Sequence, residues 1–89
     1  MSVPVCKKRF CFINRANILR ESGQFEEAVE VYSQVIQLQP DSAETYNNLG
    51  ISLYKLNQFQ SAAQAYYDAI ELNSECAEAY YNFGTLLQK

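Results

Sequence analysis

Apolar positions along this chain advance by threes and fours. Between residues 43 and 56 the apolar or small residues include Ala43, Tyr46, Leu49, Gly50, Leu53 and Leu56; between 59 and 72 they include Phe59, Ala62, Ala63, Tyr66, Ala69 and Ile70. Such spacing gathers one stripe on one face of a 3.6-residue helix, and the two-residue alternation of a strand is absent. The punctuation agrees. Asp41-Ser42-Ala43-Glu44 supplies N-cap candidates, with Asp41 and Glu44 at capping-box spacing. Asn73 and Ser74 offer caps before the last helix. Gly23 and Asn57 precede Phe25 and Phe59, and glycine and asparagine tolerate the left-handed conformation that ends a helix. Pro40 follows a helix ending near Leu38. The pattern predicts five helices, over about 9–22, 25–38, 43–56, 59–72 and 77–88, with turns short enough to make neighbours antiparallel.

These helices repeat. Shifting the chain by 34 residues aligns Asn14/Asn48, Leu19/Leu53, Gln24/Gln58, Phe25/Phe59, Ala28/Ala62, Tyr32/Tyr66, Ile36/Ile70 and Leu38/Leu72. A second shift adds Ala43/Ala77, Glu44/Glu78, Tyr46/Tyr80, Asn48/Asn82, Gly50/Gly84, Leu53/Leu87 and Lys55/Lys89. Facing small residues, Ala16 with Ala28 and Gly50 with Ala62, let paired helices approach. Tyr32 and Tyr66 bring rings into the layer between pairs, each with a hydroxyl that can reach water or a partner. The units are residues 9–42, 43–76 and a partial third, 77–89, after a flexible basic lead-in, 1–8, that holds Pro4.

Composition then removes function classes. Of 89 residues 48% are hydrophobic and 19% charged, a globular rather than disordered balance. With no histidine there is no Ser-His-Asp or Cys-His pair and no His-bearing zinc site, and three cysteines cannot complete a four-thiolate site. No cofactor or metal is expected, and no run is long and apolar enough to span a membrane. Cys6 and Cys11 are five apart with Cys76 distant. Reduced thiols fit a cytoplasmic or nuclear protein, and a Cys6–Cys11 disulfide is the alternative. Charge is uneven: Lys7, Lys8, Arg9, Arg15 and Arg20 give the first 20 residues +5, and the remainder carries −8. The basic start resembles a transit peptide in composition, but helical patterning begins by about Phe10 and places it in the fold. The Lys7-Lys8-Arg9-Phe10 cluster is the one nucleic-acid signal, and the acidic body opposes it.

The 34-residue period, the run Tyr46…Leu49-Gly50…Leu53 and the run Phe59…Ala62…Tyr66…Ala69 resemble the tetratricopeptide repeat. Phe12 or Tyr46, Leu19 or Leu53, Ala28 or Ala62, and Pro40 fill its other signature places. Arg15 departs where leucine is expected and Ser74 where proline is usual; Arg15 suits the outer face of a first repeat. The resemblance implies an all-α superhelix, a solenoid of antiparallel helix pairs with about two and a half units, whose first helices line a concave groove. It further implies a protein-interaction module binding a peptide segment or partner domain, with no catalysis. Glu44 and Glu78 form a carboxylate pair at repeat spacing, and each simply repeats an exposed N-terminal acid.

On this reading the first helices present Phe10, Ile13, Asn14, Asn17 and Glu21, then Glu44, Asn47, Asn48, Ile51 and Lys55, then Glu78, Tyr81, Asn82, Thr85 and Lys89. The peptide-binding candidates are Asn14, Asn17, Asn48, Ile51, Lys55, Tyr81, Asn82 and Thr85. Asn14, Asn48 and Asn82 recur at one place, and an amide matches both the C=O and the N–H of a peptide bond. Such a row resembles the asparagine ladder in the repeat arm of O-GlcNAc transferases, to which Ala16–Gly23 is also locally similar; the chain is then a substrate-recognition arm of a larger enzyme. The alternative is that asparagine simply suits a tight polar place in the repeat. Co-chaperone members grip a terminal carboxylate with lysine and asparagine, asparagine, then lysine and arginine on successive first helices. The matching residues here are Ile13, Asn17, Asn48, Glu78 and Asn82, so the asparagines fit and the three cations are missing. A mixed or mildly basic ligand is expected instead.

Helix 77–88 carries Ala77, Tyr80, Phe83, Leu86 and Leu87 with no following helix in this sequence to cover them, which predicts an apolar patch and self-association. About three repeats are needed for independent stability, so the length suggests part of a longer array or a unit completed by a partner.

Overall fold

A computed structural model of the chain describes residues 8–73 and 77–87, with side chains from Ile13 onward. Within it lie five helices, α1 (Lys8–Glu21), α2 (Phe25–Leu38), α3 (Ala43–Lys55), α4 (Phe59–Leu72) and α5 (Ala77–Leu87). There is no strand among the described residues. The expected lead-in, apart from Lys8, lies outside these residues, as do the Cys6–Cys11 alternative, the Ser74 cap and the side chains of Phe10, Phe12 and Lys89.

Each helix packs on the next, and α3 also touches α1 and α5. The helices therefore form two antiparallel pairs and a fifth helix in a superhelix 48 × 27 × 17 Å. The turns between paired helices are set by left-handed residues, as their types require. Gly23 takes φ 87° and Asn57 takes φ 65°. At both turns a six-to-one backbone hydrogen bond closes the helix: Gln24 N to Leu19 O at 2.8 Å and Gln58 N to Leu53 O at 2.9 Å. Of the cap candidates before α3, Ser42 and not Asp41 is the one used. Ser42 is the N-cap, its Oγ accepting from the Thr45 backbone N–H at 3.3 Å and from the Thr45 hydroxyl at 2.9 Å. Thr45 is fully buried, so this pairing satisfies a hydroxyl that would otherwise be stranded.

The core is built from small residues and rings. Ala16, Ala28 and Tyr32 have no exposed surface and form one cluster; Leu53, Ala62, Ala65, Tyr66 and Leu86 form a second. Leu49 packs against both and joins the two repeats. The alanines leave room for the rings, and each ring fully withdrawn from water contributes about 1.5–3 kcal/mol. Arg15, the departure from the repeat pattern, is exposed. In α5 the expectation needs correction: Leu86 is buried and Phe83 packs against the second cluster. The helical turn divides the apolar residues of α5 between two faces, and only Ala77, Tyr80, Tyr81 and Leu87 remain on the outside.

Burial pushes the Tyr66 hydroxyl up to about 12 from its usual 10.0. Burial also raises Tyr32, with neighbouring Arg20 pulling partly the other way. A raised acid pKa means the folded chain keeps protons that the unfolded chain releases. This contribution is complete below pH 10 and is lost as pH rises from there toward 12. The melting temperature is expected to fall as pH rises above 10, and phenolate absorbance should show a late step, from Tyr66, toward 12. A folded protein with no late phenolate step above 10 would contradict this.

Candidate peptide-binding groove

The first helices α1, α3 and α5 lie side by side, and their shared surface carries the candidate residues. Three adjoining hollows line it. The central one, about 540 Å³, is bounded by Arg20, Asn48, Ile51, Ala77, Glu78, Tyr81 and Asn82. Ile51 and Asn82 also belong to a hollow of about 220 Å³ with Tyr54, Lys55, Tyr66 and Thr85. On the other side Asn14 and Asn17 line a hollow of about 260 Å³ with Ile13, Val35, Gln39, Ser42 and Glu44. The Asn17–Asn48 hydrogen bond joins this hollow to the central one. All eight candidates thus fall on one continuous surface, although they differ in exposure. Asn14, Lys55, Tyr81 and Thr85 are exposed, Asn17, Ile51 and Asn82 are half-buried, and Asn48 is buried.

Two polar networks hold the surface in shape. In the first, Arg20 Nε donates to the Tyr32 hydroxyl at 3.1 Å, the Tyr32 hydroxyl donates to Asn17 Oδ1, and Asn48 Nδ2 donates to the same Oδ1 at 3.2 Å. In the second, Asn82 Nδ2 donates to Asn47 Oδ1 at 3.0 Å, and Asn47 Nδ2 donates to Glu78 Oε1 at 3.3 Å. The recurring asparagines therefore reach back one repeat: Asn48 from α3 to α1, and Asn82 from α5 to α3. Asn14, with no earlier repeat before it in this sequence, is exposed.

The partner differs between the two junctions, and the sequence explains why. In the 34-residue register, Asn48 faces the places of Ile13 and Asn17, whereas Asn82 faces those of Asn47 and Ile51. Isoleucine and asparagine have changed places, and the amide bonds whichever side is polar. This buries Asn47 almost completely, where the groove reading expected it on the surface; its two hydrogen bonds offset the desolvation. An amide offers two donors and two acceptor positions, so Asn48 and Asn82, each spending one N–H on its neighbour, keep hydrogen-bonding capacity toward the hollow.

Arg20 is the residue that sequence reading missed. It lies three residues after Asn17 and so on the same face, a signal present in the spacing. The Tyr32 hydroxyl holds its Nε, and Glu21 is only a loose neighbour at 4.0 Å. Arg20 and Glu78 give the central hollow one cation and one anion. Among the described residues no group of three His, Cys, Asp or Glu side chains comes together, and no helix is long and apolar enough to cross a membrane.

Residues 16–57 match the family model of the TPR repeat, and residues 43–76 match that of the tetratricopeptide repeat. Together these matches run from Ala16 to Cys76, over half of the chain. The chain belongs to the tetratricopeptide repeat family. No curated protein matches it in sequence. Among solved structures, the second TPR of Spaghetti (RPAP3) bound to the HSP90 peptide SRMEEVD is similar, with a TM-score of 0.87 and 22% identity, covering 90% of this chain and 74% of that one. At that identity the likeness concerns the fold. As a tetratricopeptide repeat protein the chain is a protein-interaction module.

Proposed function

We propose that this tetratricopeptide repeat protein binds an extended peptide segment of a partner protein along α1, α3 and α5, centred on the hollow between Arg20 and Glu78. The observation that carries this reading is the hollow itself. It combines an exposed aromatic anchor, Tyr81 at 75% exposure, with Ile51, two partly uncommitted amides and one charge of each sign. Aromatic anchors supply most of the affinity at such surfaces, and amides fix register. That the second TPR of Spaghetti holds a peptide is consistent with the same ligand class. The ligand chemistry differs from a terminal carboxylate grip, because Ile13, Glu78 and Asn82 stand at the cation places. A segment carrying both a basic and an acidic residue around an apolar one fits Glu78, Arg20 and Ile51. Asn14, Lys55 and Thr85 extend the surface at either end.

The test uses peptides selected from a displayed random heptapeptide pool, titrated by calorimetry. Tyr81→Ala should weaken binding by about tenfold or more with no change in melting temperature, because Tyr81 is mostly in water. Unchanged affinity of the selected peptides would remove the groove reading. A second reading, in which the chain is the recognition arm of an O-GlcNAc-transferase-like enzyme, rests on the likeness of Ala16–Gly23 and on the recurring asparagines. Its check is the coding sequence after Lys89, which must lead through more repeats into a glycosyltransferase domain.

A further inference from the structure

The central hollow holds two opposite charges that do not meet. Arg20 and Glu78 both line it, yet neither is the other's partner; among the described residues the one ion pair is the loose contact of Arg20 with Glu21. Each charge is held instead by a buried group on another helix. The Tyr32 hydroxyl, on α2, accepts from Arg20 Nε at 3.1 Å, and Tyr32 has no exposed surface. Asn47, on α3 and 1% exposed, donates to Glu78 Oε1 at 3.3 Å. The guanidinium therefore keeps the N–H groups of its two terminal nitrogens for a ligand, and the Glu78 carboxylate keeps its second oxygen. A guanidinium end matches a carboxylate through two parallel hydrogen bonds, and one already fixed in place loses little freedom in making them. The Arg20 side chain is 23% exposed, so salt and water screen such a pair less than on an open surface.

Resting on the proposal that a peptide lies in this groove, we infer that the peptide carries an acidic and a basic side chain four residues apart with an apolar residue midway, the acid paired to Arg20 and the base to Glu78. An extended chain shows every second residue to one face and advances about 3.3 Å per residue. Its positions i, i+2 and i+4 thus face the groove together and span about 13 Å. Arg20 stands on α1, Ile51 on α3 and Glu78 on α5, one first helix for each of the three positions. Neighbouring helices packed at about 8–10 Å put α1 and α5 about 16–20 Å apart, and the length of the Arg20 side chain shortens that span toward the 13 Å of the peptide. A separation of two residues would leave no position on the same face for the apolar residue over Ile51. The Asn17–Asn48 bond carries the groove on from the central hollow into the next one, which leaves room for the chain to continue. The acid is therefore a side chain within the segment and not the peptide's terminal carboxylate.

The test uses heptapeptides selected from the displayed pool, titrated with both ends blocked so that side chains supply their only charges. The selected sequences should be enriched in an acid and a base four residues apart. Replacing the acid of one such binder by lysine should weaken it about tenfold or more. Arg20→Glu should restore that peptide, and Glu78→Lys should not. Replacing the base by glutamate should weaken the binder similarly, with Glu78→Lys restoring it and Arg20→Glu failing to. Arg20→Glu removes the donor to Tyr32, so its melting temperature is measured alongside; Glu78 is exposed, and its arm decides alone if Arg20→Glu does not fold. Tyr81→Ala tells this inference from the groove reading beneath it. Binding that falls in Tyr81→Ala but ignores every charge change, or that the wrong variant restores, overturns the charge order and leaves the groove standing. Binding that requires a free peptide C-terminus overturns it too. Indifference to Tyr81→Ala removes the groove and this inference together.

Discussion

Gly50→Ala should destabilise the protein, and Gly84→Ala should stabilise it, although the two glycines occupy the same place in successive repeats. Replacing glycine by alanine inside a helix ordinarily gains about 1 kcal/mol through propensity. At Gly84 nothing stands within 4 Å of the new methyl group, so that gain is kept. At Gly50 the methyl group would stand 2.5 Å from Tyr66 Cε1 and 2.7 Å from Cδ1, far inside contact distance. The ring cannot swing away, because Tyr66 is 2% exposed and sits among Leu53, Ala62 and Leu86. Either the ring leaves its rotamer or α3 and α4 move apart, and overpacking of this kind costs about 1–3 kcal/mol beyond the propensity gain. Urea denaturation should give shifts of opposite sign. Equal shifts would mean that the α3–α4 contact is looser than described.

Tyr32→Ala should abolish the folded state or come close to it. Tyr32 has no exposed surface and fills the space between Ala16 and Ala28, and removing a ring of this size costs about 3–5 kcal/mol. Tyr32→Phe separates packing from polarity. The ring stays, but Arg20 Nε loses its acceptor and Asn17 Oδ1 loses one of its two donors. The cost is about 1–2 kcal/mol. Because the network reaches Arg20, this variant should also loosen the central hollow and weaken peptide binding, which Tyr81→Ala affects without touching stability. Denaturation and calorimetry on the two variants distinguish these outcomes. A Tyr32→Phe protein with full stability and full affinity would show that the hydroxyl holds nothing in place.

The helices were legible because their signals are local. Periodic apolar residues, Gly23 and Asn57 at the turns and Pro40 after α2 each act within a few residues of chain, and helices α2 and α4 fall where the spacing puts them. Between the cap candidates Asp41 and Ser42, the choice depends on which side chain reaches the Thr45 N–H, and burial of the Thr45 hydroxyl favours Ser42. The apolar residues of α5 were harder to assign. Ala77, Tyr80, Phe83, Leu86 and Leu87 look like one patch in sequence, but α3 and α4 lie against only one side of the helix and take Phe83 and Leu86.

The groove was legible as a surface but not as a set of free side chains. The recurrence of Asn14, Asn48 and Asn82 is plain in the sequence, and so is the amide chemistry. Their partners are not, since each hydrogen bond spans 31 or 35 residues and depends on how one repeat is set over the next. Arg20 was overlooked for a related reason: its place beside Asn17 was in the spacing, but its fixed position comes from Tyr32, 12 residues on and in another helix.

By itself, then, the sequence determined the helices, their turns, the 34-residue repeat and the residue types offered to the groove, because these follow from contacts within a turn or two of chain. Only the tertiary structure decided which asparagine meets which, that Asn47 is buried, that one glycine is a filled notch and its repeat mate an open one, and which side of α5 faces water. Those outcomes depend on what stands opposite each residue, and opposition between helices is a property of packing that no single stretch of sequence carries.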